Sequence, residues 1–337
     1  MPRIAYLVSS AREIDLLDSG GHPTGYWAEQ ALTSYDRFMT LGADVVVMTP
    51  DGGAPVIEPC SLEPHFHHPA EDRGYYASVC RTFHRHPDRI RVTLHHSADL
   101  ELVAARRIAR RLVVAGRSAE EAHELVGRAA KIAWQRDRKL VDVMLAEGLD
   151  GGLTEASLRQ AVEELAVVSA AVAEDRRARL EELDGFRSPV ALAGLTDAEL
   201  GELDALFVPG GHGAMVDLPE SPAVARLLSV LHRKGAPVAT LGHGAALLLA
   251  APDRLDGQWL FEGFRLTCPT NEEEDQSAFG GLPWYLANAL QNAGAVLDDA
   301  PYPWASHVVV DRNLITGQNA YSTEAVLGAF GKALGPA

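Results

Sequence analysis

No proline occurs between Pro87 and Pro189, although the 337-residue chain carries 19 of them, about one in 18. An interior proline costs a helix roughly 3 kcal/mol, so such a gap is where long helices can form. The stretch is rich in Ala, Leu, Arg and Glu, and from Ile90 to Arg187 its only aromatic residues are Trp134 and Phe186. Leu125, Ala129, Ile132, Ala133, Leu140, Val143 and Met144 recur at near-helical spacing, as do Leu158, Val162, Leu165, Ser169, Val172 and Leu180. Ser118 and Glu121 stand in capping-box spacing after Gly116, and Thr154 or Ser157 can cap the helix after Gly151-Gly152. Residues 98–186 are therefore expected to form three helices packed as one unit. Their Arg-rich face (Arg106, Arg107, Arg110, Arg111) is read as a solvated surface.

The flanks differ in kind. Arg3–Ser9, Asp44–Met48, Asp204–Val208, Pro237–Leu241, His307–Val310 and Leu314–Thr316 are short apolar or β-branched runs, most of them ending in turn chemistry. Helical segments lie between them, Trp27–Leu41 and a second between Gly213 and Pro237. This alternation predicts an α/β fold with a mostly parallel, doubly covered sheet. Residues 1–97 and 187–337 are expected to build that core, with 98–186 as an all-helical insertion.

Thirty basic against 46 acidic residues leave a net charge of −16, which argues against nucleic acid or an anionic membrane as partner. No apolar run reaches the roughly 18 residues of a membrane span, and Met1–Ser9 lacks the charged region of a secretion signal. Three cysteines, Cys60, Cys80 and Cys268, are odd in number and form no CxxC pair, as expected of a reduced cytoplasmic protein.

Two strand ends carry the strongest local signals. Leu206-Phe207-Val208 runs into Pro209-Gly210-Gly211-His212-Gly213, a turn whose N–H groups can face an anion. Val238-Ala239-Thr240-Leu241 turns abruptly at Gly242-His243-Gly244 into an apolar helix, the setting of a nucleophile elbow. Ligands of open α/β sheets bind at such carboxyl ends.

The ordered motifs resemble the DJ-1/PfpI superfamily, in particular its Hsp31-like chaperone and glyoxalase III branch. They are Thr24-Gly25-Tyr26-Trp27-Ala28-Glu29-Gln30 through Phe38, Thr49-Pro50-Asp51-Gly52-Gly53, and Phe207–Gly213 with Leu218-Pro219-Glu220-Ser221. Gly242-His243-Gly244, Thr270-Asn271-Glu272-Glu273-Glu274 and Leu314–Asn319 complete the set. The resemblance covers both flanks and not the helical block. It implies a flavodoxin-like, doubly wound fold of the class I glutamine amidotransferase type, and a homodimer. It also implies a Cys-His-Gly elbow and a catalytic glutamate from the first helical segment. Here the elbow residue is Gly242, and counting back from Phe38 aligns the glutamate with Gln30. Only His243 remains of the three.

Glycine adopts an elbow turn at little cost, so the backbone can persist without the thiol. Gln30 can donate and accept hydrogen bonds but cannot act as a base. Cys268, near the Thr270–Glu274 run, reads as a buried inert thiol. Three functions stay open. The first is a cysteine-independent enzyme in which His243 moves a proton on a small carbonyl-containing or aromatic metabolite. In it Gly211 and Gly244, with Gly210, His212 and Gly242 around them, hold a developing oxyanion, and Glu29, Gln30 or Glu273 orients the substrate. The helical insertion then serves as lid or oligomerisation unit. The second is an inactive relative working as a holding chaperone or assembly subunit. The third is a metal held in residues 65–96, which contain seven of the 13 histidines with Glu71 and Asp72 among them. In the preferred reading no cofactor is needed.

Overall fold

A computed structural model of the chain describes residues 1–17, 20–63, 100–136, 138–253, 257–276 and 281–335. Two compact units emerge, Met1–Ser61 with Arg176–Ala337, and Leu62–Asp175.

The first unit holds a seven-stranded sheet: β1 (Arg3–Leu7), β2 (Asp44–Thr49), β3 (Val190–Ala191), β4 (Ala205–Val208), β5 (Val238–Leu241), β6 (Val308–Asp311) and β7 (Leu314–Gly317). The order is β6-β7-β5-β4-β1-β2-β3, and every pair is parallel except the β6–β7 hairpin at one edge. Apolar runs make the central strands because both of their faces are covered. Alternation divides the side chains: Tyr6 and Phe207 face one way, Leu7, Leu206 and Val208 the other. Phe207 packs 5.0 Å from Phe38 of helix Ala28–Thr40 and 5.7 Å from Phe330 of helix Thr323–Ala333. On the opposite face Leu206 and Val208 join Leu227 and Leu231 of helix Pro222–Lys234. That helix starts as its sequence predicts, with the Ser221 hydroxyl accepting from the Val224 N–H at 3.4 Å and Pro222 in the first turn. It ends on Gly235 at φ 64°.

The second unit contains helices Leu100–Val103, Ala105–Val114, Ala119–Gln135 and Leu140–Ala146, and the first part of Glu155–Glu182. Ile108, Leu112, Val126, Leu140, Met144 and Leu158 meet in its core. Ser118 and Glu121 form the expected capping box, and Thr154 caps the long helix through the Ser157 N–H at 3.2 Å. The helices outnumber the three expected over 98–186, because the chain breaks at Ala104 and again between Gln135 and Leu140. Residues 176–186 group with the α/β unit for a physical reason. Arg179 pairs with Asp36 at 2.8 Å, and the Phe186 ring lies 5.3 Å from that of Tyr26. The apolar run Gly242–Ala250, expected as a helix, winds as a 3₁₀ helix and stops before Pro252. No helix among the described residues is long and apolar enough to cross a membrane.

Candidate functional site

Strands β4 and β5 pair in parallel, Val208 opposite Thr240, so the two glycine turns leave neighbouring strand ends. Gly242 sits at φ 51°, in the left-handed region. A Cβ there would find nothing nearer than Pro269 Cγ at 3.9 Å and Gln30 Nε2 at 4.0 Å. The elbow geometry is thus present, and a Cβ would sit there in ordinary van der Waals contact without a clash. Gly211, at φ 116°, is different: a Cβ would lie 2.3 Å from the Gly25 carbonyl oxygen. At Gly244 it would lie 2.7 Å from the Pro209 oxygen. These two positions are closed to any side chain by backbone packing.

Inside the first turn, the Gly210 N–H donates to Gln30 Oε1 at 2.6 Å and the Gly213 N–H to the Gly25 oxygen at 3.2 Å. The His212 N–H donates to Glu58 Oε2 at 2.7 Å. The Gly211 N–H meets no acceptor among the described residues.

His212 is buried and lies against His243, with ring centroids 4.1 Å apart and the planes tilted by 35°. Its Nδ1 lies 3.0 Å from Glu58 Oε1, and its Nε2 lies 3.8 Å from Glu274 Oε2. His243 Nε2 lies 2.6 Å from Glu274 Oε1. An ionised carboxylate only accepts, so His212 carries a proton on Nδ1 and His243 one on Nε2. Burial opposes charge on His212, but Glu58 and Glu274 outweigh it and lift the imidazole to about 10. Burial likewise opposes charge on both carboxylates, yet the histidines hold Glu58 and Glu274 below the usual glutamate range. Two acids and two bases therefore share one buried network at the elbow.

Of the expected site residues, His243, His212, Gly210, Gly211, Gly242, Gly244 and Gln30 come together. Glu29 is half-buried one position along the same helix, and it is Gln30 that reaches the turn. Glu273 does not face the histidines. It accepts from the N–H groups of Thr270 (2.9 Å) and Trp304 (2.5 Å) and from the side-chain amides of Gln318 (2.9 Å) and Asn319 (2.8 Å). Its neighbour Glu274 takes the place at the site, because successive helical residues point about 100° apart. Glu58 was not foreseen: it follows Ile57, which bridges Tyr26, and nothing local marks it as a site residue. Cys268 is fully buried, and burial pushes its thiol well up, as expected of an inert cysteine. Cys60 donates weakly to Glu58 Oε1 at 3.8 Å. Cys80 and the histidines of 65–96 lie outside the described residues. Among the described ones, His212, His243 and Glu274 offer metal-ligating atoms within 4.8 Å of one another.

Comparison with known proteins agrees with this fold. A stretch of 142 residues is 38% identical to glutamine amidotransferase-like class 1 domain-containing protein 1 of Bos taurus, covering 42% of this chain and 62% of that protein. Another of 148 residues is 32% identical to protein/nucleic acid deglycase HchA of Pseudomonas aeruginosa, covering 41% of this chain and 50% of that one. The chain thus matches less than two thirds of the length of either relative. Among solved structures, glyoxalase III from Candida albicans superposes with a TM-score of 0.57 at 15% identity, over 99% of this chain and 97% of that one. A Francisella tularensis rapid encystment protein gives 0.57 at 16% identity, over 99% of each chain. At such identities the likeness shows the fold. The DJ-1/PfpI family model matches residues 145–330, more than half of the chain, and the chain belongs to the DJ-1/PfpI family.

Proposed function

We propose that this protein is a cysteine-independent enzyme that moves a proton on a small carbonyl-containing or aromatic metabolite, as a lyase, hydratase or isomerase does. The observation that carries the reading is the carboxylate–imidazole network beside the elbow: His243 held by Glu274 at 2.6 Å, next to Gly242, where a Cβ would meet no clash. A vestigial site has no reason to keep two carboxylates and the His212 imidazole out of water, since burying charge is costly unless it is paired.

The chemistry follows from the protonation pattern. With Nε2–H committed to Glu274, Nδ1 of His243 has the lone pair that removes a proton from a carbon next to a carbonyl. Electrons then move onto the carbonyl oxygen, and the Gly211 N–H supports the oxyanion. Returning the proton to a different atom isomerises the substrate; expelling a β-substituent makes the reaction a lyase. Gln30 keeps the Gly210 turn in shape. The relative HchA is a protein/nucleic acid deglycase, which supports enzymatic activity in general and leaves the reaction type to this reading. A homodimer in the cytoplasm, acting on small molecules without a cofactor, belongs to the same proposal.

The test is a screen of carbonyl metabolites followed by His243→Ala. Turnover is expected to fall by about 10²–10⁴-fold, the contribution of a general acid–base group. Unchanged turnover in His243→Ala sinks the proposal. A chain with no turnover that suppresses aggregation of a client protein supports the holding-chaperone alternative instead.

A further inference from the structure

The same four groups raise a question of charge that the acid–base reading leaves open. Glu58 and Glu274 are both buried, at 0% and 4% exposure, and two imidazoles share their volume. Neutral rings would leave two negative charges uncompensated in a medium that solvates them poorly. One ring proton leaves a net negative charge, and two place cations on rings whose centroids lie 4.1 Å apart. A single divalent cation replaces the ring protons and balances both carboxylates.

The ligand geometry suits one. Zinc takes imidazole nitrogen at about 2.0–2.1 Å and carboxylate oxygen at about 2.0–2.2 Å, so tetrahedral ligands stand roughly 3.3 Å apart. The separations here, 2.6 Å from His243 Nε2 to Glu274 Oε1 and 3.8 Å from His212 Nε2 to Glu274 Oε2, bracket that figure. Behind the ring, Glu58 accepts from Nδ1 of His212 at 3.0 Å, the outer carboxylate that fixes a ligating histidine's tautomer and turns its Nε2 to the metal. Two histidines and one carboxylate leave a fourth position open, and that ligand set is one that zinc takes in open sites.

We infer that His212, His243 and Glu274 form a zinc-type site, with Glu58 as a positioning residue, and that the cation switches the pocket off. Binding rests on the ligand set alone. Inhibition rests on the acid–base reading: a cation on Nε2 of His243 forces the ring proton to Nδ1, the atom needed as base. Zinc and catalysis are then mutually exclusive at one imidazole.

Isothermal titration of the metal-stripped full-length protein with Zn²⁺ tests the site, with Co²⁺ absorption reporting the ligand field. One equivalent is expected to disappear in His212→Ala and in the near-isosteric Glu274→Gln, each checked for folding by circular dichroism. Glu58→Gln should weaken that equivalent by about 10–100-fold, the usual effect of an outer-shell partner. Any binding by the histidine-rich 65–96 segment persists in all three variants and is subtracted. Equal zinc stoichiometry in wild type, His212→Ala and Glu274→Gln overturns the site. Zinc bound through these residues without loss of turnover leaves the site standing and overturns the switch. Lost turnover in His243→Ala, together with no zinc bound by the wild type, removes the site and leaves the acid–base reading intact.

Discussion

Position 242 separates two costs that a side chain can meet at a glycine. The backbone cost is there, since φ 51° strains any other residue by about 1–3 kcal/mol. The steric cost is absent, with 3.9 Å to the nearest neighbour. Gly242→Cys should therefore fold, losing no more than about 3 kcal/mol in a denaturant titration. Its new thiol should be alkylated by iodoacetamide well before Cys268, as peptide mass spectrometry would show. Gly211→Ala carries a clash of 2.3 Å in addition and should lose distinctly more stability. Equal losses in the two variants would contradict the assignment of an open elbow. At this scale the sequence is legible where a residue's role is local. The two turns, His243 and the inert Cys268 announce themselves by type and spacing. Glu58 does not, because its role arises only when a loop far from the turns in sequence returns to His212. Glu274 cannot be told from Glu273 without the direction in which the short helix faces.

Short elements around the site are held by single acidic clamps, and two of these give tests. Glu273 gathers donors from Thr270, Trp304, Gln318 and Asn319, so one carboxylate ties helix Asn271–Gln276 to the segments before β6 and after β7. Glu273→Ala strands four donors and should cost roughly 3 kcal/mol or more, visible as a lower melting temperature. A negligible change would show that water replaces the clamp. Asp217, ending helix Ala214–Asp217, accepts from the Ser10 N–H at 2.7 Å. Burial raises its carboxyl above the usual 3.8, and the bonds from Ser9 and Ser10 only partly offset this. Folding thus favours the protonated form: the stabilising contribution is complete below the unfolded pKa and is lost as pH rises through the higher folded one. Asp217→Asn should gain on the wild type across that window, in melting temperatures measured from pH 3 upward. A pH-independent difference would refute it. Six of the seven strands of the main sheet were legible to within a residue or two, because buried strands read as unbroken apolar runs, whereas the two-residue β3, Val190–Ala191, is too short to leave a pattern. The 3₁₀ winding of Gly242–Ala250 was not, since periodicity in a run apolar on every side distinguishes no helix type.

At the scale of the whole chain the proline-free stretch has a definite outcome. Its helices close a core of their own, in which Ile108, Leu112, Val126, Ala129, Leu140, Met144 and Leu158 are sealed from solvent by residues of the same unit. The first strand, the glycine turns and the carboxylate network all come from the other unit. A segment of this size lies in the range where a single hydrophobic core sustains folding. Ser118 and Thr154 cap its main helices from within, and Arg111 ties helix Ala105–Val114 to Glu155–Glu182 through Ser157 at 3.1 Å and Glu164 at 2.7 Å. Residues 62–175 expressed alone should accordingly give a strongly helical circular dichroism spectrum and a single cooperative thermal transition. A non-cooperative melt would mean that the long helix needs its continuation through Arg176–Glu182, where Arg179 reaches Asp36. The absence of proline would then mark a helix shared by both units more than a unit of its own.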